Sequence, residues 1–128
     1  MRPWLLLAGI MGALGVCAGA FAAHGLKATL DPEMLAIWET GARYQLIHAV
    51  ALLGLASLGT RPGAAGRLAG LAFCAGTLIF SGSLYVLALT GLRWLGAITP
   101  LGGLLLILGW LLLAWEGWRA PRDQAPSP

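Results

Sequence analysis

Long apolar runs alternate with short polar segments along the whole chain. Four runs, at about residues 4–26, 44–60, 65–89 and 100–118, come close to or exceed the roughly 20 residues that a helix needs to cross a hydrocarbon core of about 30 Å. In lipid every backbone amide must be paired within the protein, which favours helical spans. The pattern predicts an all-α fold, a four-helix transmembrane bundle in which residues 1–119 form a single transmembrane domain.

The polar segment after the first run has a helical pattern of its own. Residues 31–33, Asp-Pro-Glu, form a helix start, because an acidic cap, a proline and a second acid suit the positive end of a helix. Apolar side chains follow at helical spacing, and Glu39 and Arg43 lie four residues apart as an ion pair on another face. We expect a short amphipathic interfacial helix over about 32–43, which runs into span two with Gly41 as a candidate bend.

Turn residues and prolines set the other boundaries. Residues 61–63, Arg-Pro-Gly, predict a tight turn, and Thr90-Gly91 ends span three. Thr99-Pro100 begins span four, since proline suits the first helical position. The tail 120–128 holds three prolines and is predicted to be disordered. A cleavable signal peptide is the alternative for the first run, which is long enough to favour a retained span.

Composition agrees with a membrane location. Of 128 residues 59% are hydrophobic and 10% are charged, with a mean hydropathy of +0.81, whereas a soluble domain carries roughly a quarter charged residues. The net charge of +3 is scattered without a basic run, so no nucleic-acid partner is expected. Cys17 and Cys74 lie far apart in apolar runs and are expected to act as small hydrophobic side chains, with no metal site and no cofactor.

Basic residues predict the orientation. Four spans place both termini and the second connection on one side of the membrane. That side carries five basic residues, Arg2, Arg61, Arg67, Arg119 and Arg122, and the other side carries three, Lys27, Arg43 and Arg93. By the positive-inside rule the termini are predicted to face the cytoplasm.

Four motifs resemble one family of small membrane proteins. They are Gly19-Ala20-Phe21-Ala22-Ala23-His24-Gly25-Leu26, Tyr44-Gln45-Leu46-Ile47-His48-Ala49, Gly82-Ser83-Leu84-Tyr85-Val86-Leu87, and Thr99-Pro100-Leu101-Gly102-Gly103 followed by Gly109-Trp110. Their order and spacing resemble the proteins grouped as transmembrane protein 256, or domain of unknown function 423, over all four spans. Ala22 departs from the family pattern, where glycine is common. The resemblance implies a four-helix protein, usually of a bacterial cytoplasmic membrane, with no established activity.

Polar side chains concentrate in one half of the predicted bundle. They lie where spans one and two meet and in the later half of span three, which places them in the outer half of the membrane. Intramembrane polar groups tend to face the bundle interior. The predicted binding site is an outer-leaflet polar cluster of His24, Arg43, Tyr44, Gln45, His48, Ser81 and Tyr85.

Two interpretations of this cluster remain open. The side chains can bond one another between helices, at about 0.6 to 2 kcal/mol per pair. Alternatively they bind a ligand. On an antiparallel hairpin His24 and His48 would lie roughly 3 to 6 Å deep and meet, as two imidazoles on a haem or metal do, or as a proton-linked pair does. Arg43 would then suit an anionic headgroup.

Small residues mark expected helix contacts. Gly15 with Gly19, and Gly66 with Gly70, form GxxxG motifs, and the pair Gly102-Gly103 is expected to serve the same purpose. We expect these contacts within the monomer, with association between copies as the alternative.

The sequence holds no nucleophile elbow, phosphate-binding loop, intramembrane carboxylate pair or HExxH motif. We therefore predict a non-enzymatic structural, assembly or interaction protein, with membrane lipids and other membrane proteins or further copies as partners. The alternative is a small binding or transport module for a lipid, quinone, proton or ion at the outer-leaflet cluster.

Overall fold

Four α-helices make up the part of the chain that the computed structural model describes, residues 2–58 and 62–119. They are α1 (Pro3–His24), α2 (Pro32–Ser57), α3 (Ala64–Thr90) and α4 (Thr99–Arg119). Two 3₁₀ segments, Leu26–Ala28 and Arg93–Ala97, lie in the α1–α2 and α3–α4 connections. The tail 120–128, which was predicted to be disordered, lies outside the described residues, as does part of the turn predicted at 61–63.

Local signals account for several helix ends. The Asp31 carboxylate accepts a hydrogen bond from the Met34 amide at 2.9 Å, with Pro32 in the first helical position. Gly91 ends α3 with a φ of 71°, a left-handed conformation that suits glycine. The helices α1, α3 and α4 therefore cover nearly the same residues as the predicted spans one, three and four.

The start of α2 differs from the prediction. The described chain has no separate interfacial helix over 32–43, because α2 runs without interruption from Pro32 to Ser57. Gly41, the candidate bend, stays helical: its carbonyl accepts the Ser81 hydroxyl at 2.7 Å and the Tyr85 ring packs against it. With 26 residues α2 is about 39 Å long and exceeds a hydrocarbon core of about 30 Å. The polar first turns of α2 therefore continue the same helix past the thickness of the hydrocarbon core.

Neighbours in sequence are neighbours in space, and successive helices run antiparallel. α1 packs on α2, α2 on α3 and α3 on α4. One end of the bundle, the His24 end, holds the last residues of α1 and α3 and the first of α2 and α4. The opposite end is the Arg119 end. The larger apolar cluster includes Leu52, Leu55 and Phe73, and a smaller cluster surrounds Trp38 near the His24 end.

The outer surface is apolar. Three segments, Pro3–Ala28, Ala64–Thr90 and Arg93–Arg119, are long and apolar enough to cross a membrane. Large aliphatic side chains point outward along them; Leu78, for example, is 76% exposed. Monomeric water-soluble proteins rarely expose so continuous an apolar surface. α2 is outside this set, because even its more apolar second half contains Arg43, Gln45 and His48.

Candidate functional site

Gln45 is the central cross-link between helices. It lies buried on α2, and its amide reaches both neighbouring helices. Nε2 donates to the Met11 carbonyl of α1 at 2.9 Å, and Oε1 accepts from the Tyr85 hydroxyl of α3 at 2.8 Å. Gly15 of α1 permits this close approach, because a Cβ there would lie 2.8 Å from Leu46 Cδ2. Both ends of the amide are thus used within the bundle.

Two further bonds tie α2 to its neighbours closer to the His24 end. Trp38 Nε1 donates to the Ala18 carbonyl of α1 at 2.9 Å. Ser81 Oγ of α3 donates to the Gly41 carbonyl at 2.7 Å. In each case the accepting carbonyl is part of a helix, where one lone pair accepts a backbone N–H, and the side chain bonds to its second lone pair.

His48 lies deeper in the bundle, between α2, α3 and α4. Trp110 Nε1 of α4 donates to His48 Nε2 at 3.2 Å, and His48 Nδ1 lies 2.7 Å from the Tyr44 carbonyl. A donor on one nitrogen and an acceptor beside the other assign the tautomer that carries its hydrogen on Nδ1. The Phe73 ring packs 5.5 Å from the imidazole, centroid to centroid. Both ring nitrogens are therefore bonded to groups of the protein.

His24 does not join His48. It is the exposed last residue of α1, and its side chain makes no hydrogen bond or ion pair within residues 2–58 and 62–119. Gly12 lies opposite Ala49 and Gly15 opposite Leu46, a register that puts His48 level with Ala13, roughly 16 Å from His24 along the helix axis. The expected depth assumed a span that begins at residue 44, whereas α2 begins earlier.

The two-histidine haem or metal site, one of the open alternatives from sequence, is therefore not assembled by this fold. Among the described residues no group of three histidine, cysteine, aspartate or glutamate side chains comes together as metal ligands either. The structure keeps the polar side chains of α2 and α3 together and leaves His24 apart.

Arg43 and Tyr44 lie on the surface of α2. Arg43 is exposed and forms no ion pair with Glu39 or any other described acid, so the expected ion pair is absent. The Tyr44 ring packs 4.6 Å from that of Phe80. The ion pair that the described part does contain joins Arg93 to Glu33 at 3.2 Å, with both side chains mostly exposed. Such exposed pairs contribute little to stability.

Glu116 has a role that sequence reasoning did not assign. Its carboxylate accepts hydrogen bonds from the Gly63 amide and, at 3.1 Å, from the Gly66 amide at the first turn of α3. Gly63 occupies the cap position and has no side chain to satisfy these amides, so an acid from α4 does so and also suits the positive end of the helix. The sequence did hold one signal for this contact, because α3 begins after a glycine, which has no side chain to cap the helix.

The glycines chosen from sequence fall into two groups. At Gly15, Gly70 and Gly102 an added Cβ would collide with Leu46, with the Trp4 ring and with the Phe80 backbone respectively, and Gly66 lies beside Pro62 and Glu116. Gly19 has open space around it among the described residues, and Gly103 makes only ordinary contact with the Phe80 ring at 3.7 Å.

Three glycines inside the helices that were not chosen also pack closely on a neighbouring helix. Gly41 meets the Tyr85 ring, Gly76 meets Leu106, and Gly109 meets the Phe73 ring at 2.7 Å from a built Cβ. None of the three belongs to a GxxxG motif, so the motif was too narrow a criterion.

Comparison with known proteins identifies the family. The family model described as "Protein of unknown function (DUF423)" matches residues 18–103. The chain belongs to the DUF423 family. The resemblance seen in the four motifs is thereby confirmed.

Relatives of high similarity are named as membrane proteins. A UPF0382 membrane protein of Staphylococcus haemolyticus is 41% identical over 113 residues, which cover 88% of this chain and 93% of that one. UPF0382 membrane protein YwdK of Bacillus subtilis is 40% identical over 115 residues, covering 88% and 94%. A UPF0382 membrane protein of Haemophilus influenzae is 38% identical over 119 residues, covering 93% and 96%. No solved structure matches the chain.

The DUF423 match covers one part of the hydrogen-bond network. The bonds from Tyr85 to Gln45 and from Ser81 to Gly41 lie within residues 18–103. Trp110 and Glu116 lie beyond its end. The bonds between α2 and α3 are thus inside the matched region, whereas the polar bonds from the second half of α4 are outside it.

Proposed function

We propose that this DUF423 chain is a non-enzymatic component of the membrane, with a structural, assembly or interaction role. The observation that supports the proposal is the use of the polar side chains between the helices. Gln45, His48, Ser81 and Tyr85 each bond to a neighbouring helix, so they fix the packing of the bundle rather than converge on a reacting molecule.

The partners of such a component would meet its apolar outer surface. We propose membrane lipids, with other membrane proteins or further copies of the chain, and no nucleic acid. Exposed residues of α1 and α4 such as Val16, Leu104 and Ile107, each about half exposed or more, are suitable contact positions. Gly19, with open space around it, would also allow a second helix to approach α1 closely.

Site-specific photo-crosslinking in intact cells tests this role. A photoreactive residue at Val16, Leu104 or Ile107 is expected to give a discrete protein adduct from at least one position. The same residue in place of buried Leu52 is the control and should give none. Adducts with lipid alone at every exposed position would contradict the proposed protein partners. A turnover activity that His48→Phe removes while the fold is kept would contradict the non-enzymatic role.

We also propose that α2 is a fourth span and that the chain lies in the cytoplasmic membrane with its termini inside. α2 packs between α1 and α3, both of which can cross a membrane. The support for this orientation is the sequence count of five basic residues against three, and three of the five, Arg2, Arg67 and Arg119, lie at the Arg119 end. The first turns of α2 would stand at the opposite membrane surface, where the exposed Glu33 pairs with Arg93.

A reporter fused to the C-terminus tests this orientation. Green fluorescent protein should fluoresce there, whereas alkaline phosphatase should stay inactive because it needs an oxidising compartment. An active phosphatase fusion would reverse the orientation.

A further inference from the structure

Thr77 has a buried hydroxyl without a hydrogen-bond partner. The residue is only 5% exposed, and its Oγ1 is the one buried side-chain polar atom in residues 2–58 and 62–119 that bonds to nothing. Buried polar groups are otherwise almost always paired, so an orphan of this kind calls for an explanation. One explanation is a ligand that supplies the missing bond.

Thr77 also lines a groove that a ligand can enter. The groove has a volume of about 320 Å³, at the small end of ligand sites, which run from roughly 300 to 1,000 Å³. α1 and α3 form its walls, and Gln45 of α2 lies between them. Leu14 and Leu78 line it as well and are 58% and 76% exposed, so the groove opens sideways toward the lipid.

The other polar side chains of the groove are already bonded within the bundle. Gln45, Ser81 and Tyr85 line it, and each donates or accepts a bond described above. The remaining lining is apolar apart from two sulfur groups, the Met11 thioether and the free Cys74 thiol, which are weak hydrogen-bonding groups. The groove therefore has one hydroxyl without a partner. Its Oγ1 is covered, and rotation of Thr77 about χ1, between the two rotamers that threonine adopts in helices, would turn it toward the groove, where it can donate to a carbonyl or accept from a hydroxyl.

The depth of Thr77 decides which molecule fits. It lies at the midpoint of α3, about 20 Å from either end of the helix, and hence close to the centre of the bilayer if α3 crosses it. The ester and phosphate groups of phospholipids lie in the interfacial regions and do not reach this level. A second helix, roughly 10 Å across, would rest on the rim leucines and leave the buried Thr77 out of reach.

We infer that the α1–α3 groove binds an isoprenoid quinone or quinol, whose ring oxygen pairs with the Thr77 hydroxyl at mid-bilayer depth. A substituted six-membered ring is small enough for a groove of about 320 Å³, and its hydrocarbon chain would stay in the lipid beside Leu14 and Leu78. This site goes beyond the role proposed above and involves no chemical step. The photo-crosslinking test at α1 and α4 can fail while the quinone still binds the groove. Equally, the quinone can fail to bind while the crosslinks form.

A second groove provides an internal control. It lies between α1 and α2, has a volume of about 280 Å³, and is lined by aliphatic residues and glycine, including Gly9 and Val50. It has no polar side chain in its lining. Each groove also has a glycine where an added Cβ would meet nothing within 4 Å, Gly82 in the first and Gly9 in the second. The first carbon of a larger side chain therefore meets no other atom at either position.

The test measures binding of decylubiquinone to the full chain in phospholipid nanodiscs by native mass spectrometry. Thr77→Val should weaken binding about three- to tenfold, the value of one hydrogen bond. It should leave thermal stability equal or higher, since the hydroxyl has no partner inside the protein. Thr40→Val makes the same change at a hydroxyl that bonds only to its own helix at Ala36 and should bind as the wild type does.

Gly82→Leu fills the groove and should abolish binding, whereas Gly9→Leu fills the apolar groove and should not. The inference fails if the wild type binds no quinone, if a folded Gly82→Leu still binds it, or if Gly9→Leu weakens binding equally. It fails too if Thr77→Val lowers stability, which would place the hydroxyl in the bundle's own bonding. The groove would instead belong to a phospholipid, or to a second copy of the chain, if that occupant is lost in Gly82→Leu and kept in Thr77→Val.

Discussion

The two outer helices are attached to the centre of the bundle by different kinds of contact. α1 meets α2 along a narrow row of small buried residues, Ala8, Gly15 and Ala22, at seven-residue spacing. The directional bonds come from the other side, since Trp38 and Gln45 of α2 donate to carbonyls of α1. α1 thus contributes small side chains and backbone acceptors, and α2 contributes the polar atoms.

α4 is attached to α3 by complementary shape. Glycines of one helix face large residues of the other at successive levels. Gly76 faces the Leu106 side chain, Gly109 faces the Phe73 ring, and Gly102 faces the backbone of Phe80. A hydroxyl pair, Ser83 and Thr99, adds a 2.7 Å bond near the His24 end. Close backbone approach at small residues is how membrane helices gain packing energy in lipid.

The comparison shows which positions matter at each interface. A backbone carbonyl is present whatever the side chain, so most α1 residues should tolerate change while the α2 donors do not. α3 can approach α4 this closely only opposite a glycine, so α4 should not tolerate a larger residue at Gly102 or Gly109. Substitutions at the two interfaces therefore test different physical causes.

Gly102→Ala is expected to have the largest effect. The added Cβ would overlap the backbone nitrogen and Cα of Phe80, which belong to a helix and cannot move aside alone. We expect a loss of about 3 kcal/mol, the upper end of the usual overpacking cost. Reversible unfolding of the purified chain in mixed micelles measures it. Gly103→Ala is the matched control, because its Cβ would lie 3.7 Å from the Phe80 ring, and it should change stability by less than about 0.5 kcal/mol. Equal effects at the two positions would contradict attachment by shape.

Gln45→Leu is expected to have the next largest effect, and it tests the α1 side. It removes the bonds to Met11 and Tyr85 together and leaves the Tyr85 hydroxyl without its acceptor. We expect a loss of about 1 to 3 kcal/mol in the same unfolding assay. Tyr85→Phe keeps the ring beside Trp38 and should cost less. In the double variant the stranded hydroxyl is gone, so its loss should be smaller than the sum of the single losses. Strict additivity would show that the Gln45–Tyr85 bond does not form.

The sequence was informative about the helices because their ends depend on local chemistry. Asp31 caps α2 and Gly91 ends α3 through atoms of the same few residues, so both could be recognised without knowledge of the fold. The separate interfacial helix was not found. The change from polar to apolar residues near Arg43 reflects a change in what surrounds α2 and does not mark the end of a helix. The helical period itself continues through that point into α2.

The site was predicted less well because its bonds depend on register. Gln45, Ser81 and Tyr85 were identified from their polarity in an apolar run. Their partners include the carbonyls of Met11 and Gly41, which have no signature in sequence. The error for the two histidines arose in the same way, because the depth of His48 depends on where α2 begins.

Trp110→Phe should have the smallest effect and compares the two kinds of attachment most directly. It removes the indole N–H that bonds to His48 Nε2, while a ring remains to pack on Phe73. Trp110 is 45% exposed, and intramembrane bonds average about 0.6 kcal/mol, so we expect a loss near that value. Trp118→Phe, on a far more exposed ring, is the control and should cost nothing measurable. If α4 is attached by shape, the loss at Trp110 must fall well below that of Gly102→Ala in the same assay. Equal losses would mean that the bond to His48, rather than the close approach at the glycines, holds α4 in place, and the contrast between the outer helices would fail.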